Sequence, residues 1–502
     1  MQKDGFESLK RLSFLHADKR WQLVFWATIF VLLTCILHFA VIAAPVDADT
    51  AYHIAVGRLI SHYGILHSFP WTPFSWLSDH YADKELLFHL LFVPLASLNW
   101  VIAAKIIGVV TGTALLLTLY TVLRKEGVRF AGLWALFPLI AADVFLWRFA
   151  LVRPHLVSIT LAFIALWAAT NNRIVILAIT SAIYPWAYVG WQLPVILSII
   201  SEIAGYLSSR QFRWKVVVAA LIGTAAGLAL HPNAMNLLRF TWIQIVDVLF
   251  QRAWGERQGL ELGREFAPFT FVQWAQWLIA CVAMMMSSVI LAWRNRRNDH
   301  VSFAFALVAF VFFVITLKTA RFAEYFIPFS VVSFALATRA ISWKHLPVSV
   351  MIATVLYTGY PLSETIRGLG TSEDRIPTPV TQKLQRLIPP GSQVFTTEWG
   401  FTGMLMLALP ERKFIVALDP TFFLVKDPEL YRIWYDLPRY PRPGIAEIMR
   451  QRFGARYVVS FFDERFLNFY FQLSSEPGVR SLLLSNESWL VFDLGGPGVA
   501  GT

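Results

Sequence analysis

Long apolar stretches follow one another along this chain, from Trp21 as far as Tyr360. A bilayer has a hydrocarbon core about 30 Å thick, and a helix of about 20 apolar residues crosses it. Hydrophobic residues make up 57% of the 502 residues and charged residues only 15%, which excludes the ordinary soluble globular class. We therefore predict a polytopic α-helical membrane protein.

The predicted transmembrane helices number about eleven, and several of them are short. The first is too long for the core of a signal peptide, and no small-residue cleavage site follows it, so we interpret it as a retained helix. The predicted helices are Trp21–Ala44, Trp100–Leu123, Ala131–Trp147, Pro154–Thr170, Ile174–Val189, Leu193–Leu207, Trp214–Leu230, Phe271–Trp293, Val301–Leu317, Tyr325–Thr338 and Leu346–Tyr360.

Basic residues occupy alternate loops between these helices. The positive-inside rule makes that set of loops cytoplasmic, together with the N-terminus. The other loops hold most of the carboxylates and histidines near the membrane, and we expect them to face the periplasm of a bacterial inner membrane. They include a large first loop, residues 45–99. The basic residues concerned are Lys10, Arg11, Lys19, Arg20, Arg124, Lys125, Arg129, Arg173, Arg210, Arg213, Lys215, Arg294, Arg296, Arg297, Arg339 and Lys344.

The net charge of +11 does not indicate a nucleic-acid partner, because the basic residues are scattered between apolar runs. The two cysteines, Cys35 and Cys281, both lie inside predicted membrane helices. They therefore predict neither a disulfide framework nor a cysteine metal site.

The chain is predicted to divide into a transmembrane domain, residues 1–361, and a soluble periplasmic α/β domain, residues 362–502. The linker is expected at Gly359–Pro379, which carries Pro and Gly residues. Strand-like and helix-like runs alternate in the tail, which favours a small, largely parallel sheet flanked by helices. The strands are predicted at Gln393–Thr397, Lys413–Leu418, Arg456–Phe462 and Trp489–Phe492, and the helices at Thr402–Leu409, Asp427–Tyr435, Gly444–Phe453 and Glu464–Leu473.

Two aspartates, Asp47 and Asp49, follow the first predicted helix by a few residues. A carboxylate at the water boundary ionises and still faces an amphiphilic substrate, so either one is a candidate general base. If Thr50–Ser61 forms a helix, Asp49 is also well placed to act only as its N-cap. An Asp-x-Asp sequence with Glu and His nearby is also a candidate site for a divalent cation.

Three cations, Arg153, Lys318 and Arg321, lie at the outer ends of predicted helices. Arg suits bidentate contact with a phosphate, and a phosphate at the membrane boundary can reach these side chains without deep burial, so they are candidate phosphate-binding residues. The alternative is that these side chains snorkel to the interface or pair with acidic neighbours. His155 and His231 are candidates for binding a metal or an acceptor, although a lone His at a helix end is more often a satisfied interfacial residue.

The first outer loop combines the Asp-x-Asp sequence with a later acidic residue, Glu85, that opens an apolar helix. Further elements are His53, Gly57, Ile60, Gly64, Thr72-Pro73-Phe74-Ser75, His231-Pro232-Asn233-Ala234, Glu265-Phe266-Ala267-Pro268, Arg321, Trp399, Gly400 and Gly403. Together they resemble the GT-C superfamily of polyprenyl-phosphate-sugar-dependent membrane glycosyltransferases, in particular bacterial enzymes of the protein O-mannosyltransferase or lipid A aminoarabinose transferase type. The likeness spans most of the chain.

The resemblance implies an enzyme that takes a hexose or pentose from a polyprenyl-phosphate carrier in the outer leaflet. Its partners would be membrane lipid, the lipid-linked donor and an acceptor that the resemblance does not name. It implies that Asp47 or Asp49 is the base, with Glu85 as a further catalytic residue, and that any divalent cation is held by the two aspartates. The implied substrate-binding residues are His53, Arg58, Arg153, His155, His231, Glu265, Lys318 and Arg321.

One segment departs from the family pattern. Where the family often carries Trp-x-Asn-x-His, this chain has Trp186-Ala187-Tyr188-Val189-Gly190. The departure favours one alternative, a non-catalytic relative that acts as a scaffold in an envelope glycan pathway. A second alternative is a transporter or flippase of lipid-linked substrates. Ionisable residues in the middle of helices would indicate it, and the sequence offers few, such as Lys105 and Glu202.

Overall fold

The computed structural model describes residues 19–44, 47–246, 260, 263–339, 341, 346–417, 419–483 and 488–495. The fold is mostly helical, with one small sheet near the C-terminus. The helices of the membrane part and first loop are α1 (Lys19–Cys35, continued by a π-helix, Ile36–Val41), α2 (Ala48–Tyr63), α3 (Leu86–Phe92), α4 (Trp100–Lys125), α5 (Ala131–Leu136), α6 (Pro138–Ala141), α7 (Asp143–Ala150), α8 (His155–Thr170), α9 (Ile174–Ala187), α10 (Leu193–Ser209), α11 (Trp214–Leu230), α12 (Ala234–Trp242), α13 (Phe271–Gln273, continued by a π-helix, Trp274–Leu278), α14 (Ile279–Asn295), α15 (His300–Thr316), α16 (Ala323–Ala337) and α17 (Leu346–Gly370).

The C-terminal part contains α18 (Thr378–Leu387), β1 (Gln393–Thr396), α19 (Thr402–Ala408), β2 (Lys413–Phe414), α20 (Thr421–Lys426), α21 (Pro428–Arg439), α22 (Ile445–Phe453), β3 (Tyr457–Phe461), α23 (Leu467–Ser474), β4 (Arg480–Leu483) and β5 (Trp489–Asp493). Short 3₁₀ turns occur at Trp76–Ser78, Val93–Leu95, Arg264–Phe266, Ala320–Phe322 and Glu464–Phe466.

Four helices in the described chain are long and apolar enough to cross a bilayer: Arg20–Val41, Trp100–Lys125, Phe271–Asn295 and Ala320–Ala337. The number becomes six if each of two sharply bent helix pairs counts as one crossing. Other apolar helices, such as α9, α10 and α15, are shorter. The membrane character of the chain is thus supported, and the count of about eleven stays a prediction.

The helix predicted at Ala131–Trp147 is wrong as a single element. It is divided into α5, α6 and α7, because Pro138 lacks an amide proton and Ala142 is extended with φ −156°. After α7 the chain turns through 111° into α8. This turn holds Arg153 and brings it beside the first loop.

Two glycines allow a close contact between α9 and α11. A Cβ atom at Gly223 would lie 2.2 Å from the carbonyl oxygen of Ala178, and one at Gly227 would lie 2.1 Å from that of Ala182. Small residues allow this kind of approach in membrane helices. The contact fixes the end of α11 next to the loop that follows α9.

Helix α17 continues through the domain boundary that the sequence predicts at residues 361 and 362. The linker expected at Gly359–Pro379 is therefore helical as far as Gly370. The two-domain division itself stays a prediction.

The C-terminal sheet has the strand order β2-β1-β3-β5-β4. Strand β1 pairs in parallel with β2 and β3, whereas β5 runs antiparallel to β3 and β4. The four predicted strands are confirmed, but the sheet is mixed rather than largely parallel. The reason is the additional strand β4, which folds back on β5 as a hairpin.

The C-terminal part shares a hydrophobic core with the first loop. Tyr52 and Val56 of α2 belong to the same buried cluster as Leu405 of α19 and Val491 of β5. The indole N–H of Trp71 donates to the carbonyl oxygen of Pro410 at 2.8 Å. The tail is therefore packed against the loop and does not stand apart from it.

Candidate functional site

A cavity of about 560 Å³ lies between the helical part, the first loop and the C-terminal part. Its volume falls within the range of about 300–1,000 Å³ that is usual for ligand sites. Eight of the residues predicted from the sequence line it: Asp47, Asp49, His53, Glu85, Arg153, His155, Glu265 and Arg321.

Asp47 is fully engaged by its neighbours. One carboxylate oxygen accepts a hydrogen bond from the hydroxyl of Thr50, and the other accepts one from Nε of Arg153. Asp47 stands at the N-cap position of α2, but its side chain makes no capping bond to the backbone. Its carboxylate therefore holds Arg153 in place.

Asp49 is differently placed, in the first turn of α2. Its Oδ2 pairs with Nη1 of Arg153 at 2.9 Å, and its side chain is 36% exposed to the cavity. No described residue bonds its Oδ1. The interpretation of Asp49 as the N-cap is wrong, because the helix begins at Ala48, two residues earlier than predicted.

Asp49 shares a single guanidinium with Asp47. Burial raises the pKa of Asp49; Arg153 opposes this shift, and the negative charges of Asp47 and Glu265 add to it. A carboxylate with a raised pKa is a better proton acceptor near neutral pH than an ordinary Asp. Asp49 is therefore the better placed of the two candidate bases.

Glu265 gathers three arginines on the opposite wall. Its Oε2 accepts from Nη1 of Arg148 at 2.9 Å and lies 4.0 Å from Nη1 of Arg153, while its Oε1 accepts from Nη1 of Arg321 at 2.5 Å. Burial raises the pKa of Glu265, but the guanidinium groups of Arg321 and Arg148 outweigh it and hold that pKa well below its usual range. Glu265 is thus a permanent anion that positions cations.

Backbone contacts bring these residues together. Glu265 lies in the 3₁₀ turn before α13, and Arg321 lies in the turn before α16. The amide of Ala320 donates to the carbonyl oxygen of Ala267 at 3.0 Å and joins the two turns. Arg148 lies in the last turn of α7, and its Nη2 also pairs with the buried Glu324 at 2.5 Å.

Sequence reasoning missed Arg148 and Tyr188. Arg148 directly follows the helix predicted at Ala131–Trp147, and its place five residues before Arg153 was the available signal. The hydroxyl of Tyr188 accepts a hydrogen bond from Nη2 of Arg321 at 3.2 Å. The segment that departs from the family pattern therefore still supplies a cavity residue.

Glu85 belongs to a second, separate cluster with His53, His89 and Asp83. Nδ1 of His53 lies 2.8 Å from Nε2 of His89, and 3.9 Å from Oε2 of Glu85. Nδ1 of His89 lies 2.9 and 2.8 Å from the two carboxylate oxygens of Asp83. All four side chains are buried, and sequence reasoning missed Asp83 and His89.

A glycine allows this cluster to form. A Cβ atom at Gly57 would lie 2.5 Å from the Cβ of Phe92, so a larger residue would separate α2 from α3. The close approach of the two helices brings His53 on α2 against His89 on α3.

The C-terminal part supplies the remaining wall of the cavity. Arg375, Glu398, Trp399 and Phe461 line it from this side. An aromatic ring next to charged groups is a surface suited to a polar, ring-shaped ligand. The sequence indicated Trp399 through the resemblance and missed the others.

Three predicted site residues are not brought to the cavity. Lys318 is exposed and does not line the cavity, although it lies only three residues before Arg321. Arg58 donates to the carbonyl oxygens of Ala96 and Leu98, and so ties α2 to the end of the loop. Neither Lys318 nor Arg58 lines the described cavity, and their substrate-binding roles stay predictions.

His231 and His155 have backbone partners. Nε2 of His231 lies 3.1 Å from the carbonyl oxygen of Asp83, and His231 does not line the cavity. His155 does line it, with Nε2 2.9 Å from the carbonyl oxygen of Arg148. His231 therefore supports the buried cluster, and His155 fixes the end of α7.

No protein-family model matches this sequence, and no curated protein matches it significantly. Solved structures do match. The apo oligosaccharyltransferase of Archaeoglobus fulgidus aligns with 88% of this chain and 70% of its own, at 15% identity and a TM-score of 0.57. ArnT from Cupriavidus metallidurans, also apo, aligns with 95% of this chain and 99% of its own, at 12% identity and a TM-score of 0.55.

The arabinofuranosyltransferase AftD from Mycobacteria aligns with 95% of this chain at 14% identity and a TM-score of 0.58. This chain spans only 40% of the length of AftD. All three proteins are members of the GT-C superfamily. The recognition of GT-C from the sequence is confirmed at the level of the fold.

Proposed function

We propose that this chain is a membrane glycosyltransferase that moves a sugar from a polyprenyl-phosphate carrier to an acceptor on the periplasmic face of a bacterial inner membrane. One observation carries the proposal: the partly exposed carboxylate of Asp49 and the partly exposed guanidinium of Arg321 line the same cavity. A base and a phosphate-binding cation are the two groups that such a transfer needs.

Asp49 acts as the base. It accepts the proton of the acceptor hydroxyl while that oxygen bonds to the anomeric carbon of the donor. The bond from the anomeric carbon to the carrier phosphate breaks, and its electrons go to the phosphate oxygen. Asp47 takes no proton, because both of its oxygens are occupied by Thr50 and Arg153.

Arg321 receives the phosphate. It uses Nη1 for Glu265 and Nη2 for Tyr188, and its side chain remains 27% exposed. A guanidinium has five N–H donors, and the others are not engaged by any described residue. Glu265 and Tyr188 therefore orient the cation and leave donors for the oxygens of the departing phosphate.

The acceptor lies against the C-terminal wall. Trp399 and Phe461 offer ring faces there, and Arg375 and Glu398 offer charge. This placement puts the acceptor hydroxyl between the C-terminal part and Asp49. It also explains why the tail is packed on α2, the helix that carries Asp49.

The transporter alternative is less well supported. Its candidate ionisable residues already have protein partners: Lys105 donates to the carbonyl oxygen of Ile42 at 2.8 Å, and Glu202 pairs with Arg213 at 2.7 Å. The scaffold alternative predicts a collapsed site. The cavity is instead lined by Asp47, Asp49 and Arg321, which favours the enzyme.

The test measures transfer in proteoliposomes from a panel of polyprenyl-phosphate hexoses and pentoses. Asp49→Asn is expected to lower the rate about 100-fold or more, since a general base contributes about 10²–10⁴-fold. Arg321→Gln is expected to lower it to a similar degree. Asp79→Asn, in the same loop but exposed and paired with Lys426, is the matched control and keeps the wild-type rate.

Two results would contradict the proposal. One is full transfer by the Asp47→Asn/Asp49→Asn double variant. The other is the absence of transfer by the wild type from every donor of the panel, which would refute the donor class.

A further inference from the structure

We propose that His53, His89 and Glu85 form a binding site for one transition-metal ion of the Zn²⁺ type in the wall of the cavity. The ion would be held by Nδ1 of His53, Nε2 of His89 and one carboxylate oxygen of Glu85. Two imidazoles with one carboxylate form a set that zinc commonly uses, and imidazole favours such metals over Mg²⁺ or Ca²⁺.

The distances already fit a metal centre. The three ligand atoms lie within 4.8 Å of one another. Zn²⁺ bonds nitrogen at about 2.0–2.1 Å, so neighbouring ligand atoms of a tetrahedral site lie about 3.3 Å apart. The separations of 2.8 Å between the two histidines and 3.9 Å between His53 and Glu85 bracket this value. Small side-chain movements are enough to admit the ion.

Asp83 supplies the support that such a site requires. A metal-bound histidine usually donates its other ring N–H to a carboxylate, which fixes its tautomer and orientation. His89 faces Asp83 in this way through Nδ1. The same carboxylate accepts the backbone N–H of Glu85 at 3.1 Å. Asp83 thus orients two of the three ligands.

The site has an open side. His53 and Glu85 line the cavity, whereas His89 does not, so a fourth ligand can approach from the cavity side. Nζ of Lys84 lies 3.7 Å from Oε1 of Glu85. The other oxygen, Oε2, is the one near His53 and is available to a metal ion. Three protein ligands with one open position are typical of zinc sites that bind an exogenous ligand.

The two aspartates are less suited to a cation. Asp47 and Asp49 both pair with Arg153, whose positive charge already occupies the space between them. A cation there would have to displace the guanidinium. In the cluster of His53, His89 and Glu85, the neighbouring cation Lys84 lies near Oε1 of Glu85, whereas Oε2 is the oxygen near His53.

The test uses the full-length protein in detergent, stripped with a chelator, reloaded with Zn²⁺ and desalted. Elemental analysis is expected to find about one zinc per chain. His53→Gln and His89→Gln are expected to lose it. His62→Gln, an exposed histidine of the same helix, is the matched control and retains it. Asp83→Asn is expected to weaken binding about 10- to 100-fold.

X-ray absorption of the zinc-loaded wild type gives a readout that needs no variant. Scattering from two imidazoles is expected, and an all-oxygen shell would overturn the site. Absence of zinc from the wild type, or its retention by both histidine variants, would also overturn it. None of these readouts depends on sugar transfer, so the metal site and the proposed function can fail separately.

Discussion

At the scale of single residues, the guanidinium of Arg153 determines the different roles of the two aspartates, Asp47 and Asp49. Arg153 contacts Asp47 and Asp49 together, and Glu265 and Arg321 lie near enough to add their charges. The two aspartates are two positions apart in the sequence, but their roles differ because only Asp47 has both oxygens bonded.

This coupling predicts a shift in the pH dependence of transfer. Only the ionised form of Asp49 accepts a proton, so the rate falls as the pH falls through its pKa. Because that pKa is raised, the acid limb lies above the value of about 3.9 of an ordinary Asp. Asp47→Asn removes a neighbouring negative charge and removes the Asp47 carboxylate that competes with Asp49 for Arg153. Both effects move the limb to lower pH.

The measurement is kcat/KM against pH for the wild type and Asp47→Asn, with Asp79→Asn as the control. An acid limb that moves upward in Asp47→Asn would show that Asp49 is not the titrating base.

Glu265 predicts a difference in stability. Glu265→Gln leaves Arg148 and Arg321 without their shared anion, although Glu324 still pairs with Arg148. Breaking a fully buried pair costs about 3–5 kcal/mol, and exposed pairs are worth about 1 kcal/mol or less. Since the Glu265 side chain is 26% exposed, we expect a loss of about 2 kcal/mol.

Thermal unfolding in detergent measures this loss. The matched control is Glu364→Gln, whose partner Arg367 lies three residues away on the exposed face of α17. It should change stability by less than about 0.5 kcal/mol. Equal effects of the two variants would contradict the central role of Glu265.

At the scale of helices and strands, the sequence was most informative where a pattern repeats. The strands β1, β3 and β5 were predicted because β-rich residues fill them between turn signals. The strand β4 was missed, since Arg480 opens a short segment with little alternation. The break at Pro138 was missed because the apolar run continues across it.

The α9–α11 contact predicts that one methyl group destabilises the bundle. Gly227→Ala places its Cβ 2.1 Å from the backbone of Ala182, so the helices must move apart. Overpacking of this kind costs about 1–3 kcal/mol. Gly359→Ala, on α17, meets nothing within 4 Å and is expected to be neutral or stabilising by about 0.5–1 kcal/mol. The measurement is the unfolding midpoint of each variant. Equal midpoints would show that the α9–α11 contact at Gly227 has room for a methyl group.

At the scale of the whole molecule, the site depends on contacts that no local pattern contains. The bond from Trp71 to Pro410 joins positions 339 residues apart. The candidate carboxylates and cations could be named from the sequence through the family resemblance. Their arrangement around Arg153 and Glu265, and the C-terminal wall, required the folded chain, because each distance depends on how several helices pack.

The contact between α19 and α2 gives the last prediction. A Cβ atom at Gly403 would lie 2.3 Å from the carbonyl oxygen of Ala48, the residue between Asp47 and Asp49. Gly403→Ala must therefore move the C-terminal part or the two carboxylates. A displacement of about 1 Å costs about 100-fold in a positioned reaction, so we expect a loss of transfer about tenfold or greater. Gly368→Ala, which meets nothing within 4 Å, is the control.

Hydrogen exchange should rise in α2 and α19 of Gly403→Ala, because the same methyl group loosens their shared core. Normal transfer together with unchanged exchange would mean that the C-terminal part does not hold the carboxylates in place.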